Sequence, residues 1–428
     1  MKQLIQKLLA SKAHQLIQKH KPIVIGVTGS VGKTSARDAI ATFLSARYDV
    51  APNFKNYNNE FGLPLTILGR KSPGRSLLGW LSVLCSSPKN IPQVFVLEYG
   101  IDRPGDMDVL CQIVKPTIAV MTRISPVHAE FFPSLEDLTA EKTKLLASVP
   151  EDGLVVLNAD DPRVLAVAEH IDAPHLTYGF SSSAHIRAMN YSVWTQEDFS
   201  FQPGDVFSKL SFTVEFADHG QLQIEAKNLL GKAAVSSLLV GIAVAHYLGL
   251  TNEQILSKIP EAKLEPGRMN PMPGIKGSLI LDSSYNAAPA SVHSALEVLS
   301  EFHPAEQARR IAALGHMGEL GKYSEQEHRL VGMKIAEMGI DVLVTVGEIA
   351  RDIQRGAIEA GMLEEHTQHF ADSAEAGRWL DAHIKKGDII LVKGSQSARM
   401  EKAVKDIMAE PMRANELLVR QEEYWGKN

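Results

Sequence analysis

Short apolar runs rich in β-branched residues recur along the chain, separated by longer stretches in which apolar residues return every three or four positions. Residues 22–27, 94–97, 117–121 and 154–157 are apolar without alternation and too short for helices, so they predict strands buried on both faces. Residues 35–44, with Ala36, Ile40 and Leu44 on one side, predict a helix. Strand and helix alternate in this way from Pro22 to about Leu264, which predicts a doubly wound parallel α/β sheet. Between His185 and Ala226 the period changes to two, in KLSFTVEF and QLQIEA around Asp218-His-Gly220. A β-hairpin or small antiparallel sheet appended to the first domain is expected there.

Proline and glycine cluster at 264–277, which places a domain boundary. A second α/β series follows, with strands expected at 278–281, 310–314, 342–346 and 388–392, and predicts a Rossmann-like C-terminal domain. The expected division is a helix at 1–20, a sheet domain at 21–264 and a second domain at 265–428. In the first helix Leu4, Leu8, Leu9, Leu16 and Ile17 fall at helical spacing among lysines and glutamines, the pattern of a packing helix in preference to a membrane-surface one. It lacks the unbroken apolar core of a signal peptide or membrane span. LLGWLSVLC at 77–85 is also too short to cross a bilayer, and reads as a buried helix or a loop resting on a partner.

Length and charge narrow the function classes. A chain of 428 residues has ample core for two or three domains. Its net charge of -6 and scattered basic residues argue against a nucleic-acid surface. Two cysteines, Cys85 and Cys111, with no C-x-x-C pair, suit a reducing cytoplasm and exclude a disulfide scaffold or a cysteine zinc site.

Candidate chemistry begins at GVTGSVGKTS, residues 26–35. The strict phosphate-loop pattern G-x-x-x-x-G-K-[ST] wants glycine where Val27 stands, yet the stretch sits at a strand-to-helix junction, as such a loop must. Gly29, Gly32, Lys33, Thr34 and Ser35 are therefore the nucleotide-binding candidates. Loop amides and the positive helix end face the phosphates, Lys33 reaches the β and γ oxygens, and the Thr34 hydroxyl can ligate Mg²⁺. The first domain is thereby of the P-loop ATPase type.

In open α/β sheets ligands sit at the carboxyl ends of strands, so polar residues just after apolar runs are informative. Glu98 follows the second run and can hold Mg²⁺ beside the loop, directly or through water. His128 lies in a short loop after the third and is either a metal ligand or a satisfied structural histidine. Its H-A-E context fits the H-x-E of zinc deaminases, but the C-x-x-C partner is missing, which excludes that chemistry. Ser134-Leu-Glu-Asp137 caps the next helix, whose apolar face carries Leu135, Leu138, Leu145 and Leu146. Lys142 falls on that inward face, so it is either paired, chemically altered or snorkelling to the surface. In the second domain Asp282 and Asn286 follow a strand and can grip a nucleotide's ribose or base across a cleft. Arg268 on the linker can reach a transferring phosphate, and Lys393-Gly-Ser395 is a further anion-site candidate.

Together these residues resemble the Mur ligase family, the ATP-dependent amide ligases of cell-wall precursor synthesis. The family writes its loop G-x-x-G-x-x-G-K-T, which Gly26, Gly29, Gly32, Lys33 and Thr34 match, so Val27 is expected. Within the family the chain is most similar to the branch that adds D-alanyl-D-alanine to a UDP-muramoyl tripeptide. Asn56-Tyr-Asn-Asn-Glu-Phe-Gly-Leu-Pro64, Glu98-Tyr-Gly-Ile-Asp-Arg-Pro-Gly105, Leu157-Asn-Ala-Asp-Asp161, Asp282-Ser-Ser-Tyr-Asn-Ala-Ala-Pro289, Leu314-Gly-His-Met-Gly-Glu-Leu-Gly321 and Val392-Lys-Gly-Ser395 carry that likeness. The resemblance implies magnesium held by Thr34, Glu98, His128 and a carbamoylated Lys142, with Lys33, Lys142, His128 and Arg268 catalytic and Asn58, Asn59, Lys393 and Ser395 on the substrates. It implies an acyl phosphate made from ATP and a carboxylate, then attack by an amino acid or dipeptide amine.

Three departures stand beside the likeness. Only about twenty residues precede the first strand, so the family's usual N-terminal UDP-binding domain is expected to be absent. Ala233, Ala234 and Ser237 replace the polar residues of G-x-H-N-x-x-N. His316 stands where aspartate is usual, and Gln396 where arginine is usual, which suggests a changed acceptor or amine. The alternatives are a non-catalytic nucleotide-binding subunit of a wall-synthesis complex and a folylpolyglutamate-synthase-like ligase. The expected partners are small carboxylate and amine substrates, with no nucleic acid and no membrane span, and the chain is expected to act as a monomer or weak homodimer.

Overall fold

A computed structural model describes residues 2–54, 57–88, 90–125, 131–195, 206–218, 220–304 and 307–421. The first sheet contains β1 (Ile23–Thr28), β2 (Val50–Pro52), β3 (Val94–Glu98), β4 (Ile118–Met121), β5 (Leu154–Asn158), β6 (His175–Gly179), β7 (Ile186–Thr195), β8 (Ser208–Phe216) and β9 (Gln221–Lys227). Their spatial order is β2-β3-β1-β4-β5-β6-β7-β8-β9. Pairing is parallel as far as β7 and antiparallel from β7 to β9. The alternating segment thus prolongs the main sheet instead of forming a separate appendage, because Tyr178 and Gly179 pair with Ile186 and Arg187 in parallel register.

The chain's helices include α1 (Lys2–His20), α2 (Lys33–Leu44), α3 (Gly62–Ile67), α4 (Leu77–Cys85), α5 (Asp106–Ile113), α6 (Leu135–Ala147), α7 (Pro162–Ala166), α8 (Gly231–Tyr247), α9 (Asn252–Lys258) and α10 (Pro289–Glu301). They cover both faces of the sheet, which is why its central strands are apolar at every position. Ile25, Val27, Val94, Val96, Ile118 and Val120 pack with Phe43 of α2 and Val240 of α8. The intervening Val24, Phe95, Leu97, Ala119 and Met121 pack with Met107 of α5 and Leu145 of α6 on the other side. Helix α2 starts at Lys33, two residues earlier than the pattern predicts, because Gly32 takes the left-handed conformation that ends the loop (φ 88°).

The second sheet has the order β10-β11-β15-β12-β13-β14. It comprises β10 (Asn270–Pro273), β11 (Leu279–Ser283), β12 (Arg310–Gly315), β13 (Val342–Val346), β14 (Thr367–Phe370) and β15 (Ile389–Lys393). All pairs are parallel except β10 with β11. Strands β2, β6, β10 and β14, which the apolar pattern does not announce, are short and carry proline, histidine or glutamine. No helix among the described residues is long and apolar enough to cross a membrane.

Helix α1 does pack, through buried Leu9 and Ala13. Helix α4 forms as expected but is not a buried helix: Val83 alone is fully enclosed, and Leu77, Leu78 and Leu81 face outward.

Helix α2 packs closely on α8. A Cβ added at Gly241 would lie 2.6 Å from Phe43 Cδ2 and 3.0 Å from the Ala39 carbonyl carbon, so the contact needs glycine. Gly241→Val is expected to lower stability by roughly 1–3 kcal/mol, the usual cost of overpacking. An unchanged thermal midpoint would refute this close packing.

Candidate active site

The loop leaving β1 is clamped from β4. Ser30 N donates to Arg123 O at 2.6 Å, and Thr122 Oγ1 donates to Val31 O at 2.7 Å. Gly29 (φ 139°) lies so close to Thr122 that a Cβ would stand 2.1 Å from its Oγ1. The loop then delivers its backbone to the N-terminus of α2, where no side chain caps the helix and free amides favour an anion. Lys33 Nζ folds back onto Gly29 O at 2.9 Å and Ser30 O at 3.2 Å. Burial lowers its pKa, against the attraction of Glu98.

Glu98, buried at the end of β3, accepts from Thr34 Oγ1 at 2.9 Å and from Asn58 Nδ2 at 3.3 Å. Its backbone N–H donates to Asn53 Oδ1, and Arg37 Nη1 stands 3.9 Å from its Oε2. Burial alone would raise its pKa, but the charges of Lys33, Arg37 and Arg268, with the Thr34 bond, outweigh it and keep the carboxyl ionised. Lys142 comes from α6, which Ser134 caps by accepting from Asp137 N at 3.1 Å. Its side chain is fully buried and its Nζ donates to Gly29 O at 3.1 Å, which rules out snorkelling. Burial first, and the Lys33 charge second, push its pKa well below the ordinary lysine value. Burial thus favours the neutral amine over the ammonium.

Arg268 joins the two domains at this point. Its Nη2 donates to Thr34 Oγ1 at 3.0 Å, and its guanidinium lies 4.1 Å from the centre of the Tyr285 ring. Its Nε is buried with no partner among the described residues, a donor left for an anion. Behind it, at the carboxyl ends of β11 and β15, Asp282 and Lys393 are buried. Lys393 Nζ donates to Ser283 Oγ at 3.1 Å and to Asn286 O at 2.8 Å. Burial raises Asp282 to about 6 and lowers Lys393 to about 7. The Asp282 Oδ2 has no hydrogen-bond partner among the described residues.

The residues present suit MgATP. The loop amides, the uncapped N-terminus of α2, Lys33 and the orphan guanidinium N–H of Arg268 form a donor set that favours a polyphosphate. Thr34 and Glu98 supply adjoining oxygen donors of the kind magnesium takes. Among the described residues there is no group of three or more His, Cys, Asp or Glu side chains placed to hold a metal. Further oxygen or nitrogen ligands would have to come from elsewhere.

The Mur ligase middle-domain model matches residues 27–245, and the model described as "Mur ligase, glutamate ligase domain" matches 267–396. The chain belongs to the Mur ligase family.

A UDP-N-acetylmuramoyl-tripeptide–D-alanyl-D-alanine ligase of Bacillus subtilis is 27% identical over 404 residues, covering 94% of this chain and 80% of that protein. The ligase of the same name from Mycobacterium leprae is 30% identical over 390 residues, covering 87% and 71%. A crystal structure of MurF ligase from Thermotoga maritima in complex with ADP superposes with a TM-score of 0.77 at 24% identity, covering 94% of this chain and 83% of that one, a likeness of fold. Like these Mur ligases, the chain is an ATP-dependent ligase that forms carbon–nitrogen bonds.

Of the residues singled out from sequence, the Mur ligase fold brings Gly29, Gly32, Lys33, Thr34, Asn58, Glu98, Lys142 and Arg268 together. Asp282 and Lys393 gather one step behind. Asn59 instead spends its Oδ1 accepting from Gly62 N at 2.9 Å and Phe61 N at 3.2 Å, which starts α3. Asn286 is exposed, Ser35 lies in the first turn of α2, and Ser395 N donates to His316 O at 3.0 Å. His128 lies outside the described residues. Ala233, Ala234 and Ser237 fall in the first two turns of α8, where the Ser237 hydroxyl bonds back to Ala233 O. His316 and Gln396 line a cavity of about 630 Å³ with Asp372, Ser397, Arg399 and Lys402.

Arg37, Asn53, Thr122 and Glu265 escaped the sequence reading. Arg37 bonds Asp38 at 2.6 Å and Glu265 at 3.5 Å while facing Glu98. Its one signal was a cation on the buried side of α2, one turn after Lys33.

Because Asp282 holds its proton to about pH 6 when folded, its contribution to stability is present below the unfolded value of 3.8 and is lost as pH rises to about 6. The loss amounts to about 3 kcal/mol. Asp282→Asn is expected to remove this dependence, so the variant gains on the wild type between pH 4 and 6 in denaturant midpoints. A difference that stays flat across that range would rule out the buried acid.

Proposed function

We propose that this ligase joins D-alanyl-D-alanine, or a related amine, to the terminal carboxylate of a muramoyl tripeptide in the cytoplasm. The observation that carries the chemistry is the meeting of Lys33, Lys142, Thr34, Glu98 and Arg268 at one loop. The names of the relatives carry the choice of substrates.

In this reading the α2 amides and Lys33 hold the β and γ phosphates of ATP. A substrate carboxylate oxygen attacks the γ phosphorus, ADP leaves, and an acyl phosphate forms. Arg268, with its unspent Nε, moves from Thr34 toward the transferring phosphoryl group and steadies its charge. The amine then attacks the acyl carbon, phosphate departs, and the nitrogen loses a proton to solvent or a nearby base. Asn58 orients the substrate from the loop before α3, while Asp282, Asn286, Lys393 and Ser395 approach from the second domain.

Lys142 acts as a carbamate. Its neutral amine can add CO₂ with loss of a proton, and the product carboxylate replaces a costly buried ammonium. Thr34, Glu98, the Lys142 carbamate and His128 would hold Mg²⁺, which supplies charge neutralisation at the phosphoryl group when bound. A buried lysine so placed has no use in a non-catalytic nucleotide-binding subunit.

Phosphate release from ATP is expected to require both the tripeptide and D-alanyl-D-alanine, and to fall more than about a hundredfold in Lys142→Ala. Running the tripeptide with and without its UDP handle reports whether the sugar nucleotide is recognised. Release independent of the amine would defeat the ligase reading. Separately, ¹³C-bicarbonate is expected to give one carbamate carbon resonance in wild type and none in Lys142→Ala. Identical spectra would remove the carbamate from the proposal while leaving the ligase reading open to the first assay.

A further inference from the structure

Helices α1 and α4 pack on each other and on α3 through Leu9, Leu65, Leu68 and Val83, leaving a face that the fold does not cover. Leu78 is 80% exposed, Leu77 and Leu81 56%, Leu4 61% and Leu8 47%. Single exposed leucines are ordinary, but five on two neighbouring helices need an explanation. The helices are held firmly in this presentation. Lys12 Nζ donates to Leu84 O at 2.5 Å and also to Ser86 O, pinning the end of α4. Ser76 caps its start, and Trp80 Nε1 donates to Gly74 O at 3.1 Å. Lys2 lies 5.4 Å over the Phe61 ring, which in turn meets Trp80 edge-on at 6.1 Å.

Apart from Glu60, which precedes Phe61, the charged residues on and beside α1, α3 and α4 in the sequence are basic. Residues 1–37 and 61–97 contain no aspartate or glutamate, in a chain whose net charge is -6. Lys2, Lys7, Arg70, Lys71 and Arg75 are all exposed there. Leucines at the centre, a tryptophan at the edge and cations around them match the surface of a bilayer with anionic headgroups. Helix α4 is far too short to span it, so the contact is peripheral.

We propose that the α1–α4 face docks on an anionic lipid bilayer, the leucines entering the headgroup boundary while the basic residues pair with lipid phosphates. The docking site sits beside the Asn58 loop, since Tyr57 and Phe61 belong to the same apolar cluster.

The test is flotation of the full chain with vesicles of phosphatidylglycerol and phosphatidylcholine, and with phosphatidylcholine alone, in the absence of nucleotide or substrate. The wild type is expected to float with the anionic vesicles only, and less as salt rises. Leu77→Ser/Leu78→Ser/Leu81→Ser and Arg70→Glu/Lys71→Glu/Arg75→Glu are each expected to weaken binding at least about tenfold. Leu363→Ser, at a 58% exposed position in the second domain, should bind as wild type does. Unchanged melting and solution ligase activity in the serine variant establish that its fold is intact. Absence of flotation, or equal binding to neutral vesicles, overturns the proposal. So does light scattering that shows a dimer lost in the serine variant, which would assign the face to a second copy of this chain.

Discussion

Two lysines converge on one carbonyl oxygen. Lys33 and Lys142 both donate to Gly29 O, and Lys142 does so from a fully buried position. Two full positive charges so close in a desolvated site repel strongly, and the repulsion must be relieved by a nearby anion, by loss of a proton, or by both. The structure uses both. Glu98 is kept ionised beside them, and Lys142 is driven toward its neutral form. Much of the first domain serves this balance: Asn53, Asn58, Thr34 and Arg37 all hold Glu98, and the Thr122 clamp fixes the carbonyl on which the lysines meet.

A polyphosphate completes the same balance. The uncapped amides of α2 and the unpartnered Nε of Arg268 are the groups an anion would satisfy, and the second domain takes part through Arg268. That residue bonds the loop threonine while stacking on Tyr285, whose backbone N–H donates to Gly267 O at 3.0 Å. The linker is tight there: a Cβ at Gly267 would stand 2.9 Å from Tyr285 N, and Met269 adopts φ 63°. One guanidinium therefore senses the phosphate loop and the carboxyl end of the second sheet together.

Much of this was legible in the sequence because its determinants are local. The phosphate loop is fixed by spacing, the central strands by apolar runs, and Lys142 by its phase on a capped helix. Glu98 was legible because strand ends point at ligands in this architecture. What was missed depends on distant partners. Arg37 reads as an ordinary helix cation until Glu98 and Glu265 arrive from elsewhere, and Asn53 reads as a loop residue until β3 pairs beside it. Asn59 shares a motif with Asn58 but spends its side-chain oxygen on the backbone amides of Phe61 and Gly62. The orientation of α4 was illegible for another reason: LLGWLSVLC is apolar on all sides, so periodicity gives no inward face.

That last ambiguity has a physical resolution in the cations. A helix apolar all round is normally buried, and α4 buries one side only, against α1 and α3. Its outer side would be a liability in water unless something limits self-association. The acid-free stretches on either side do so, since two copies meeting leucine to leucine would bring Lys7, Arg70, Lys71 and Arg75 against their own kind. The arrangement that disfavours a second copy favours an anionic surface, so one charge pattern both protects the leucines and selects what covers them.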